Sequence, residues 1–176
     1  MCNWMEICRA HGLRFLDGTA PPHLSIFGFI MGRDALSVYP IGAYEINGDV
    51  VIYPPHTLNP TEDDRLTAVA TGLTRSWGKS GIITLRFAKQ KDGGDFAVLD
   101  VSEELGAETK HMLKIRGLEE DFLNAANENP PELLEMSNVG VSAGGKLYTA
   151  VSIREALMLL PKAARASLTG WFEKIL

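Results

Sequence analysis

The 176 residues suit one domain of ordinary size, spanning 1–176, and are enough to bury a core without disulfides or metals. Hydrophobic residues at 45% and charged residues at 22% are globular proportions and exclude general disorder. A net charge of −5 with a pI near 5.4 excludes the basic footprint of a nucleic-acid binder.

No apolar run reaches the ~18 residues of a transmembrane helix, and the first residues have no apolar stretch of signal-peptide type. Cys2 and Cys8 would be poorly placed for a disulfide on one helix, and no C-x-x-C pair exists. These features predict an acidic, soluble, cytoplasmic protein with no membrane association.

Residues 1–11 read as a short helix with Trp4, Ile7, Cys8 and His11 along one side and Gly12 just past its end. Pro21-Pro22 marks a rigid connector. Leu24 to Ile30 is a nearly continuous apolar run, which predicts a central strand buried on both faces. Asn47-Gly48 lies between two β-rich runs, and both residues tolerate positive φ, so a tight hairpin is expected there.

Asn59 opens the clearest helix. Asn59 can cap it, Pro60 suits the first helical position and Glu62 completes a capping box. Leu66, Val69, Leu73 and Trp77 then share one face. Residues 82–88 and 96–101 form a second hairpin, although imperfect alternation leaves the facing of the first run open. Residues 105–137 read either as one helix or as a strand followed by a helix, with Gly117 arguing for a break. A third hairpin is expected around Gly144-Gly145. Ser152 and Glu155 cap a further helix that Pro161 interrupts, and a last helical run carries Ala164, Leu168, Trp171, Phe172 and Ile175.

The expected fold class is therefore α+β, a mainly antiparallel sheet built from hairpins with helices packed on one face. The order of elements is similar to that of small acidic chaperones of secreted bacterial effectors and of several immunity-type proteins. That likeness is one of architecture and rests on no motif.

The apparent motifs fail on context. Gly140-Val141-Ser142-Ala143-Gly144 matches the G-x-S-x-G of a nucleophile elbow, but a strand follows it and the last histidine, His111, precedes the serine. Gly72 to Ser80 has the wrong spacing for a phosphate loop and closes a helix instead of opening one. Cys2 would become an N-terminal nucleophile only if Met1 were removed, and the helical reading of its surroundings argues against that role.

These failures point to a non-enzymatic module that binds another protein, as an adaptor, chaperone, inhibitor or immunity-type protein. Trp171 and Phe172 are its candidate partner-binding residues, and a homodimer would hide a sheet edge. No catalytic or metal residue is assigned and no cofactor is expected. The competing expectation is a small hydrolase or transferase with a site assembled from distant loops. It requires two or more of His23, His56, His111, Asp100 and Ser142 to converge in a pocket.

Overall fold

A computed structural model of the chain describes residues 3–16, 23–31, 37–78, 81–89, 96–104, 106–117, 138–166 and 168. Its elements, in order, are α1 (Trp4–Ala10), β1 (His23–Met31), β2 (Ser37–Asn47), β3 (Val50–Tyr53), α2 (Pro60–Trp77), β4 (Gly81–Lys89) and β5 (Phe96–Ser102). They continue with α3 (Ala107–Ile115), β6 (Val139–Ala143), β7 (Lys146–Ala150), α4 (Ile153–Met158) and α5 (Lys162–Ala166).

The strands form one seven-stranded sheet in the order β5-β4-β1-β2-β3-β6-β7, and every pairing in it is antiparallel. The apolar run in β1 occupies an interior position, as its composition predicts. The three expected hairpins form. In the β2–β3 and β6–β7 hairpins, Gly48 (φ 60°), Gly144 (φ 56°) and Gly145 (φ 75°) supply the left-handed backbone that two-residue turns require. Arg14 to Leu16 covers the outer edge of β5: Leu16 N–H donates to the Val98 carbonyl and Val98 N–H to that of Arg14. This satisfies part of an otherwise open edge.

α2 begins with the capping box read from the sequence. Asn59 Oδ1 accepts from Glu62 N–H at 2.9 Å, and Glu62 Oε2 accepts from Asn59 N–H at 3.1 Å. Gly78, at φ 68°, closes the helix. Leu66, Ala70, Leu73 and Trp77 are buried against Ile83, Leu85, Phe87 and Val98 of the sheet. Each fully buried leucine contributes about 1.5–3 kcal/mol of apolar transfer. α1 joins this cluster through Cys8 and fastens to α2 by a 2.7 Å bond between His11 Nε2 and Ser76 Oγ.

Residue parity along β3 divides the rest of the core. Val50 and Ile52 pack with Ala156 and Leu157 of α4, Leu160 and Leu168. Val51 and Tyr53 point the other way and pack with Tyr44 and Met112 of α3. Ala43 and Glu45 share the Ile52 side by register. Thus α1, α2, α4 and α5 lie on one face and α3 on the opposite face. The α+β antiparallel expectation holds, but the expected confinement of helices to one face does not. Gly42 and Gly140 permit this second layer: a Cβ at Gly42 would collide with Met112 Cε, and one at Gly140 with Ile115 Cδ1.

Of the ambiguous stretch, residues 107–115 are helical, and Gly117 at φ 70° stands just beyond them. Residues 118–137 lie outside the described residues. Pro161 separates α4 from α5, as its missing donor requires. No helix among the described residues is long and apolar enough to cross a membrane.

Candidate functional site

β4 and β5 place polar residues on the sheet face that α3 only partly covers. Leu85 opposes Val101 on the α2 side, so the alternate residues of both strands turn outward from that core. Thr84 pairs with Ser102 and Arg86 with Asp100 in register. The result is a two-by-two strip of hydroxyl, guanidinium, carboxylate and hydroxyl. Arg86 Nη1 lies 3.7 Å from Asp100 Oδ2, with the two side chains 37% and 52% exposed. Thr84 is buried, and its Oγ1, like Arg86 Nε, has no hydrogen-bond partner. The two residues alternate with Leu85 along the strand, so both unpartnered atoms lie on the same sheet face.

The same register row continues across the sheet. Arg86 opposes Ser25 on β1, and Ser25 opposes Tyr44 on β2. Tyr44 then stacks obliquely on Tyr53 of β3, with ring centroids 5.6 Å apart. At a strand spacing of ~4.8 Å, Arg86 stands roughly 10 Å from Tyr44. By register the strip and α3 therefore lie on the same face of the sheet.

Under α3, Tyr53 Oη lies 3.4 Å from Ser142 Oγ and 3.5 Å from His111 Nδ1. Burial raises the pKa of the Tyr53 hydroxyl well above the ordinary tyrosine range, with Tyr44 and Glu108 adding in the same direction. Burial also lowers that of His111, against an opposing contribution from Glu108. Both groups are therefore favoured in their neutral forms, and the long distances mark weak bonds. Ser142 sits within strand β6, not on an elbow, and Tyr53 rather than His111 contacts it. This trio ties α3 to the sheet and is poorly suited to activating a nucleophile.

The five residues posed as a converging set thus divide. His111 and Ser142 meet through Tyr53. Asp100 lies in the polar strip. His56 is exposed in the loop after β3, where its backbone N–H donates to Glu45 Oε2 at 3.1 Å. His23 opens β1 opposite Ile46. A cavity of about 600 Å³ lies near the β2–β3 and β6–β7 turns, bordered by Gly48, Val51, Ala143 and Ala164. Its acidic lining among the described residues is Asp49 and Glu108, and it does not draw the five together. Trp171 and Phe172 lie outside the described residues, as does Cys2. Burial pushes the Cys8 thiol up to about 11, which removes it from thiolate chemistry near neutral pH.

Sequence reading missed Thr84, Arg86 and Ser102. Their signal was the period of two in Ile83-Thr84-Leu85-Arg86-Phe87, which sets polar residues on one face of a strand whose other face is core.

No family model and no curated protein matches the sequence. Solved structures do share its architecture. The urea carboxylase of Kluyveromyces lactis superimposes with a TM-score of 0.61 at 19% identity, over 78% of this chain and 13% of that one. The biotin carboxylase of Campylobacter jejuni gives 0.59 at 17%, over 71% of this chain and 30% of that one. The pyruvate carboxylase of Rhizobium etli gives 0.61 at 14%, over 80% and 16%. The fold is shared with a segment of each of these carboxylases. A biotin carboxylase subunit of pyruvate carboxylase matches as well, with a TM-score of 0.54 at 13% identity, over 70% of this chain and 29% of that one. This chain spans less than a third of any of these proteins.

These likenesses overturn the reading of a non-enzymatic protein-binding module of adaptor, chaperone, inhibitor or immunity type. The shared fold is a piece of multi-domain carboxylases, and its described polar strip is a sheet face instead of a flat apolar patch.

Proposed function

We propose that the chain provides the nucleotide-phosphate-binding sheet of an ATP-dependent, carboxylase-type enzyme. The strip of Thr84, Arg86, Asp100 and Ser102 carries this reading. Its Arg86 guanidinium is part-exposed and paired only loosely with Asp100, at 3.7 Å, which leaves N–H donors that a phosphate oxygen can take. A guanidinium is well matched to phosphate because it donates from a planar fork. The Campylobacter biotin carboxylase that shares the fold is described as a complex with β-γ-ATP, which supports a nucleotide as the ligand class.

In this setting the partner is the remainder of a carboxylase-type assembly, within the same chain or another, and the location is cytoplasmic. Calorimetric titration with β,γ-imido-ATP tests the reading. Saturable binding is expected, weakened about tenfold or more by Arg86→Ala, in line with loss of a charge-assisted hydrogen bond. Absence of binding, or equal binding by the variant, refutes it.

A further inference from the structure

Nucleoside triphosphates ordinarily reach enzymes with Mg²⁺, which is held by one or two carboxylates together with the phosphates. The strip does not fit such an ion. Asp100 is the only acidic residue on either β4 or β5, and its carboxylate faces the Arg86 guanidinium at 3.7 Å. A divalent cation beside Asp100 would have to displace Arg86 or sit against its positive charge. Glu103, one residue past β5, already accepts a 3.1 Å hydrogen bond from Trp77 Nε1. No group of three or more histidine, cysteine, aspartate or glutamate residues suited to a metal occurs among the described residues.

We infer that this strip binds the phosphate chain of a nucleotide directly, without a divalent cation, with the Arg86 guanidinium taking the position a metal would fill. The inference rests on the phosphate-binding reading above and adds the metal independence. Three features support it. Arg86 supplies a fixed positive charge. Its side chain is 37% exposed, so the guanidinium can be reached from solvent. Asp100 holds the guanidinium in place while competing with the incoming phosphate for it. Removing that competitor should therefore strengthen anion binding, whereas removing a metal ligand would weaken it. The two roles of Asp100 predict opposite signs.

The experiment titrates the full chain with β,γ-imido-ATP, once in excess EDTA and once in excess Mg²⁺. The expected Kd in EDTA equals or is lower than that in Mg²⁺, because Mg²⁺ neutralises the charge that Arg86 reads. Asp100→Asn should bind several-fold more tightly in EDTA. Arg86→Gln should bind at least tenfold more weakly there, with circular dichroism confirming that each variant folds. Binding that requires Mg²⁺, or that Asp100→Asn weakens several-fold, overturns metal independence and leaves the phosphate site standing. Absence of binding in both buffers overturns both.

Discussion

Replacing Glu45 by alanine removes the acceptor that organises the loop between β3 and α2. Glu45 is fully buried, and its Oε2 accepts from His56 N–H (3.1 Å), Thr57 N–H (3.1 Å) and the Thr57 hydroxyl (3.0 Å). A hydrogen bond to a charged group contributes about 1.5–3 kcal/mol, and a buried donor left without an acceptor costs about 1–3 kcal/mol. Two effects reduce the simple sum. His56 and Thr57 are exposed, so water can take over part of the lost bonding. Oε1 is buried with no partner, so its removal relieves an existing penalty. The expected net loss is about 3 kcal/mol, read as a lower urea midpoint at unchanged m-value. Glu45→Gln keeps one acceptor oxygen and should lose about half as much. Hydrogen exchange should quicken at His56 and Thr57 before it does in the sheet. A loss below ~0.5 kcal/mol for the alanine variant would show that the loop is held by its flanking elements alone.

Two further outcomes follow from the α3 layer. Gly140→Ala should destabilise the fold by about 1–3 kcal/mol in urea unfolding, because the new methyl enters the space of Ile115 Cδ1 and nears Leu147 Cδ1, 3.2 Å away. In that background Ile115→Val should recover part of the loss, while any other cause would leave the two changes additive. His111 supplies a pH dependence. Its folded pKa lies below the ordinary 6.5 because burial penalises the imidazolium. Above 6.5 both folded and unfolded chains hold it neutral, and its contribution to stability is fully present. As pH falls through 6.5 the unfolded chain takes up the proton first, so stability drops until the folded pKa is passed. Urea midpoints between about pH 7.5 and about pH 5 should fall more steeply in the native chain than in His111→Gln. Parallel slopes would contradict the assignment.

The local elements were largely legible because each has a short-range cause. Asn59, Pro60, Glu62 and Gly78 write the ends of α2 into consecutive residues, and Asn47-Gly48 and Gly144-Gly145 write their turns in the same way. The side on which a helix packs has no such cause. α3 carries an ordinary apolar face in Met112 and Ile115, and what sends it to the second face is the pair of glycines on β2 and β6, far away in sequence. Gly42 and Gly140 read as strand residues of no consequence until Met112 and Ile115 are seen to occupy the space above them. The function reading went astray for a related reason. Reactive groups do not cluster along the chain, and that pattern is what favours a binding module at the level of sequence.

A site on a sheet face is written differently. Its members alternate along each strand and meet across strands, so Thr84 and Arg86 lie two apart while Asp100 and Ser102 arrive from a separate run. Alternation was visible in β4, but it fixes only that polar residues share a face, not whether water or a ligand covers it. Two facts beyond the sequence bear on the proposed ligand. Thr84 Oγ1 and Arg86 Nε are buried without partners, which bulk solvent does not explain, and Asp100 is paired to Arg86 at a distance that leaves the guanidinium able to bind a second acceptor. The arrangement makes Arg86 the hinge of the functional argument. Its charge can be removed by substitution without touching the α2 core, which lies on the other side of the sheet, so a phosphate-binding defect in Arg86→Gln can be separated from a folding defect.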